Sequence, residues 1–209
     1  MSHKTINQNE TMAVRNFLVS DFRASEEEYN IEGHAAVFNQ EVNIGGWFKE
    51  IIERGAFDGC DLSDVSLFVN HDISKIPLAR SRTYKNQSTM DLNIDEKGLF
   101  IRAKLDIENN QEAKMLHSSI SRGDIDGMSF AFQIKEQVWE GLDTKLPTRR
   151  IKKIAKVYEV SAVNNPAYSE TDISARDKEA LENEKRNIET IDNNNECELL
   201  KLKFLGGMY

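Results

Sequence analysis

The chain has 209 residues and a formal net charge of -8 at pH 7, long enough for one good core and charged against a nucleic-acid binder, whose footprint would be a basic patch. Its two cysteines, Cys60 and Cys197, lie far apart with neither framework nor metal-ligand spacing, as expected in a reducing cytoplasm. No apolar h-region opens the chain and no apolar run reaches membrane-span length, so a soluble intracellular protein is expected, with one main domain and tails.

In chain order, 1–13 is polar and irregular and is expected to be a disordered tail. Strands are predicted over 30–38, 47–52 and 65–71. Met90, Leu92 and Ile94 alternate with polar residues before the turn signal Asp95-Glu96-Lys97-Gly98. Beyond it the odd positions from Leu99 to Ile107 are apolar and the even ones mostly charged. That period of two predicts a hairpin over 89–107. One helix follows over 110–122, with Ala113, Leu116 and Ile120 on one face and Gly123 placed to end it.

Further strands are predicted over 128–138 and 154–163. The main domain is therefore read as 14–169, mainly β in an α+β class, with short strands forming a closed or nearly closed antiparallel barrel decorated by a few helices. From 170 to 209 hydrophobicity falls. The charged run Ala175 to Arg186 and the apolar segment Glu198 to Leu205 are read as a helical or flexible appendage, either a solvated tail or a docking or removable segment.

Three segments carry candidate chemistry. In Gly127-Met128-Ser129-Phe130 the large apolar residues Met128, Phe130, Phe132 and Ile134 share one face. Ser129 points to the other with Ala131 and Gln133, leaving room for a substrate carbonyl. A serine hydroxyl needs a neighbouring imidazole as base, and the imidazole needs a partner to fix its tautomer. Read alone, Ser129 is equally an ordinary serine on the polar side of a strand. The missing second glycine and the helix-before-strand order exclude the α/β-hydrolase nucleophile elbow.

His71 ends the strand 65–71 between Asn70 and Asp72, but Asp72 fits poorly as its partner because adjacent strand residues point to opposite faces. His117, on the helix, is the competing base; His3 lies in the tail, and His34 in a small-residue strand. Glu159 shares its strand face with Val157, Ser161 and Val163, where a carboxylate needs an imidazolium or arginine partner unless it faces solvent. Ser161, just before the Asn164-Asn165-Pro166 turn, is read as structural. With four histidines and no cluster at ligand spacing, neither metal nor cofactor is expected.

Taken in order, Gly33-His34-Ala35-Ala36-Val37-Phe38, Glu53-Arg54-Gly55-Ala56-Phe57, Asn70-His71-Asp72, Lys97-Gly98-Leu99, the Ile120 to Gly123 helix end, Gly127 to Phe132, and Glu159 to Val163 with Pro166-Ala167 form a pattern over most of 31–168. It resembles the prohead maturation proteases of tailed bacteriophages, whose core is similar to the herpesvirus assembly protease. The resemblance implies a herpesvirus-protease-like barrel and a catalytic pair at His71 and Ser129, with Glu159 as the third member where the herpesvirus relatives use a second histidine. Arg149-Arg150 resembles the paired arginines that assist the oxyanion in those relatives, although here the pair precedes the third strand.

The implied activity is a serine endopeptidase that cleaves capsid and scaffold proteins during head assembly, inside the prohead in the host bacterial cytoplasm. Its implied partners are the major capsid protein and its scaffolding region, with self-cleavage and a homo-oligomer compatible with that role. The same barrel resembles phage tail-tube and sheath modules, so a non-catalytic assembly or scaffold protein is the competing reading.

Overall fold

The computed structural model describes residues 11–18, 21–25, 30–83, 87–164 and 177–186. The chain divides into two compact units, Met1–Glu170 and Thr171–Tyr209. In the second, 177–186 is helical. The predicted tail segments 1–10 and Glu198 to Leu205, with Pro166, Ala167 and Cys197, lie outside the described residues.

The first unit is mainly β. Its strands are β1 (Thr11–Leu18), β2 (Arg23–Ala24), β3 (Asn30–Val37), β4 (Glu41–Ile44), β5 (Phe48–Ile52), β6 (Ser66–Val69), β7 (Ala79–Arg80), β8 (Met90–Ile94), β9 (Gly98–Lys104), β10 (Gly127–Glu140) and β11 (Thr148–Val163). One helix, α1 (Gln111–Ser121), precedes β10. Strand β1 begins at Thr11, inside the segment expected to be an irregular tail.

Alternation puts Leu99, Ile101 and Ala103 of β9 in the core and Arg102 and Lys104 outside, the pattern of a half-buried strand. Helix α1 starts where the Asn110 side chain accepts hydrogen bonds from the Glu112 and Ala113 amides at 2.9 and 3.2 Å, a standard N-cap. It ends at Gly123, whose φ of 76° suits glycine at C′. The chain then enters β10 within a few residues, so the helix end sets where Ser129 begins its strand.

The strands form two sheets, and among the described residues no closed barrel is found. One sheet has seven strands along β1-β10-β11-β5-β4, with β6 and β7 added at β11; the other has four, β2-β3-β9-β8. Both β5 and β6 pair with β11 in parallel, so the larger sheet is mixed where an antiparallel barrel was expected. Alternation of apolar residues gives a strand's faces but not its direction or neighbour, which is why the sequence did not reveal this. A single core cluster joins both sheets, with Ile31, Leu99 and Ile101 meeting Phe130, Phe132 and Val160. Gly98 allows the close approach between β9 and β3, since a Cβ there would sit 1.9 Å from the Ala36 carbonyl oxygen.

Two charged clusters lock this frame. Arg15 of β1 and Arg149 of β11 share Glu50 of β5; Arg15 Nη2 lies 2.9 Å and Arg149 Nε 2.7 Å from Glu50 Oε2. All three are buried, and the Arg149 guanidinium stacks 4.6 Å from the Phe48 ring centre. At the other end, His34 lies between Asp21, 2.6 Å from Nδ1, and Asp95, 2.9 Å from Nε2. Burial opposes ionisation of Asp21, but hydrogen bonds from Lys97 and His34 outweigh it and hold its carboxyl down at about 2.

Removing one member of a buried charge set leaves the others uncompensated, at a cost of about 3–5 kcal/mol. Glu50→Ala is expected to lose stability on that scale in urea unfolding, well beyond the effect of a surface Glu→Ala change. Asp21 contributes stability above its unfolded pKa of about 4, and that contribution disappears as pH falls through its lower folded value. Asp21→Asn should therefore be less stable than the parent at neutral pH, with the difference shrinking between about pH 4 and about pH 2.

Candidate active site

Strand β11 collects the site. On one edge it pairs with β10, setting Ser161 opposite Ser129 and Glu159 opposite Ala131. On the other it pairs with β6, setting Ser161 opposite Phe68 and Glu159 opposite Ser66. Directly paired residues share a face, so Ser129, Ser161 and Glu159 lie on one face of the sheet. Strand β1 extends the row, with Asn16 opposite Ser129.

His71 reaches this face through a break in alternation. The strand ends at Val69, and both Asn70 and His71 adopt left-handed backbone conformations, with φ of 51° and 59°. Such conformations in non-glycine residues persist where the surroundings impose them, and they gather at functional sites. Here β11 imposes them. The Asn70 amide donates to the Ala162 carbonyl at 2.9 Å, the Asn164 amide to Asn70 Oδ1 at 3.1 Å, and the His71 amide to Ser161 Oγ at 3.2 Å.

The side chains then close a hydrogen-bonded ring. His71 Nδ1 lies 2.5 Å from Glu159 Oε1, and Ser161 Oγ donates to Glu159 Oε2 at 2.6 Å. A carboxylate only accepts, so Nδ1 carries a proton in this contact. His71 Nε2 is buried without a hydrogen-bond partner among the described residues. The arrangement is an imidazole oriented through Nδ1, with Nε2 unengaged.

Ser129 is fully buried, not open to a substrate as the sequence reading expected. Its hydroxyl donates to the Arg15 carbonyl at 2.9 Å and is not bonded to His71. Strand β1 pairs along one edge of β10 and supplies that carbonyl. The carbonyl contact left no mark in the sequence, since a backbone acceptor has no side-chain signature.

The other candidates stand apart. Asp72 accepts from Ser74 Oγ at 2.5 Å and does not reach His71. His117 Nε2 lies 3.0 Å from the Ser25 carbonyl. Arg149 is engaged with Glu50 and the Phe48 ring, and Arg150 with Glu140 at 2.9 Å, so the resemblance-based oxyanion role for this pair is not supported. Ser161, read from sequence as structural, belongs to the site; its spacing two residues from Glu159 was the available signal.

Beside the His71 turn a cavity of about 290 Å³ opens between the loop after β6 and α1, lined by Phe68, Val69, Ile76, Met115, Leu116 and Ile125 among others. The Lys75–Glu112 ion pair, 2.6 Å, crosses its rim. Among the described residues no cluster of three or more His, Cys, Asp or Glu side chains could hold a metal ion, and no helix is long and apolar enough to cross a membrane.

Residues 19–186 match the family model described as caudovirus prohead serine protease. No curated protein matches the chain. Among solved structures, the capsid assembly protease gp21 of bacteriophage T4 is similar at a TM-score of 0.40 and 13% identity, covering 74% of this chain and 98% of that one. Strand β1 lies just outside the matched segment.

Proposed function

The chain belongs to the caudovirus prohead serine protease family, and from that premise we propose that Ser129, His71 and Glu159 are its nucleophile, base and orienting carboxylate. The observation that carries the assignment is the His71 imidazole, held through Nδ1 by Glu159 with Nε2 unpartnered on the sheet face that bears Ser129. In the reaction, Ser129 Oγ turns from the Arg15 carbonyl to His71 Nε2. It gives up its proton there as its oxygen attacks a peptide carbonyl carbon. The imidazolium, stabilised by Glu159, returns that proton to the leaving amine. Water then hydrolyses the acyl-enzyme with His71 again as base. Backbone amides serve the oxyanion, a role worth roughly 10²–10³ in turnover for a single donor.

The substrates are read as the major capsid protein and its scaffolding region, cleaved inside the assembling prohead within the host bacterial cytoplasm. Self-cleavage and a homo-oligomer are compatible with this reading, and the core is read as herpesvirus-protease-like in its curled sheet. The apolar cavity beside the His71 turn suits an aliphatic substrate side chain. The segment beyond residue 170 is read as a docking element for the shell. Membership of a peptidase family favours the enzyme over a non-catalytic tube or scaffold module.

Ser129→Ala and His71→Ala are each expected to abolish digestion of the capsid protein, with circular dichroism unchanged. The double variant should lose little more than either single one, because such groups act as a unit. Exchanging the carboxylate for an amide in a Ser-His-acid triad lowers turnover about 10⁴-fold, so Glu159→Gln should fall steeply in turnover while still binding substrate. Full activity in the Ser129 or His71 variant would refute the assignment. A chain truncated after residue 175 should still digest denatured capsid protein but be depleted from co-assembled proheads, as measured by gel densitometry of purified particles.

A further inference from the structure

We infer that Ser161 is a positioning residue of the proposed catalytic relay, fixing both the Glu159 carboxylate and the His71 backbone so that Nδ1 and Oε1 meet. The inference rests on the reading of His71 and Glu159 given above and extends it to a residue that the sequence marked only as structural.

Three features support it. First, one hydroxyl serves two partners at once: Ser161 Oγ donates to Glu159 Oε2 at 2.6 Å and accepts the His71 amide at 3.2 Å. With the 2.5 Å contact between His71 Nδ1 and Glu159 Oε1, these bonds form a closed ring. Second, a glutamate has one more rotatable bond than an aspartate, and its terminal torsion is broad. Unless its second oxygen is held, the carboxylate is free to turn away from the imidazole. Ser161 holds it. Third, His71 sits at φ 59°, a conformation that needs its surroundings to enforce it, and the Ser161 oxygen is the acceptor that receives its amide.

Ser161 is fully buried, between Ser129 and Phe68 in register, so no water can take over either bond without opening the sheet. Nor does Ser161 act as the nucleophile in this arrangement. Its proton goes to the carboxylate, and its oxygen lies on the Nδ1 side of the ring, whereas the unengaged base is Nε2. Losing the hydroxyl therefore leaves the reacting groups present but loosely aimed, and misplacement on the ångström scale costs about 10²-fold in rate.

The test uses the full chain and a fluorescent phosphonofluoridate, which forms a bond from its phosphorus to an activated serine oxygen and expels fluoride while the base takes the serine proton. Its rate reads activation of the nucleophile without a known peptide sequence. Ser161→Ala and Ser161→Val should label about 10- to 100-fold more slowly than the parent, while Ser161→Thr, which keeps the hydroxyl at nearly the volume of valine, should label within a few-fold of it. In parallel, the downfield proton resonance of His71 Nδ1, identified by its loss in His71→Ala, should persist in Ser161→Thr and shift or broaden in Ser161→Ala and Ser161→Val.

Parent-like labelling and an unchanged resonance in Ser161→Ala and Ser161→Val would overturn the positioning role. So would equal behaviour of the Thr and Val variants, or mass-spectrometric recovery of the label on residue 161. Failure of the underlying catalytic reading looks different: Ser129→Ala would label as fast as the parent. In that event the resonance still decides whether Ser161 orients the imidazole.

Discussion

Strand β11 is the constraint on which the rest depends. Its sixteen residues are paired on both edges, antiparallel to β10 and parallel to β6 in the region that matters. The first ladder fixes Ser129 and the second delivers the chain to His71, while Glu159 and Ser161 belong to β11 itself. Groups from three distant parts of the sequence thus acquire their spacing from two sets of backbone hydrogen bonds. A one-residue slip of either ladder would turn the slipped strand's side chains to the opposite face. The apolar flanks prevent it: Met128, Phe130 and Phe132 on β10, and Val157, Val160 and Ala162 on β11, are all buried in the common core.

Such a site works against stability. Burying a glutamate and a histidine costs solvation that their mutual contact only partly offsets, and two successive left-handed residues cost of order 1–3 kcal/mol each. The Arg15–Glu50–Arg149 cluster is another expense of the same kind, since well-packed apolar residues in place of buried ion sets are often as stable or more so. What that cluster contributes is geometry. Strands β1 and β5 are separated by β10 and β11 in the sheet order, so contact between Arg15 and Glu50 requires the sheet to curl. The ladder with β10 is what brings the Arg15 carbonyl to Ser129.

Legibility in the sequence followed the physics of each feature. The 89–107 hairpin and α1 were readable because alternation, the Asp95 to Gly98 turn and the Asn110 and Gly123 caps are local signals. His71, Ser129 and Glu159 were singled out from their residue chemistry, and the family pattern then implied their roles. The tertiary arrangement was less visible. Strand direction and partner choice are non-local, so the parallel pairing of β5 and β6 and the two-sheet arrangement escaped. Strand β1 was partly assigned to a tail because most of the ten residues before it are polar, which masked Ala13 as a buried position. Alternation placed His71 on a regular strand end. The two left-handed residues that turn it toward Glu159 are imposed by hydrogen bonds from β11, and Asn and His carry no obligatory signal for that conformation as glycine would.

In the proposed relay the hydroxyl of Ser129 has to change partner, and a substrate has to reach it. Turning Oγ from the Arg15 carbonyl to the imidazole exchanges one hydrogen bond for another, and each is worth only about 0.5–1.5 kcal/mol net. Admission of a peptide is a different matter, because Ser129 is fully buried with its hydroxyl on the Arg15 carbonyl of β1. For a substrate carbonyl to reach this proposed nucleophile, part of what buries it has to move. Strand β1 is the terminal strand along its sheet path, and among the described residues it forms one ladder, with β10, so its local opening breaks fewer backbone hydrogen bonds than the opening of β10 or β11 would. In the proposed site, β1 is thus the strand most readily opened, and β11 is the strand that orients His71.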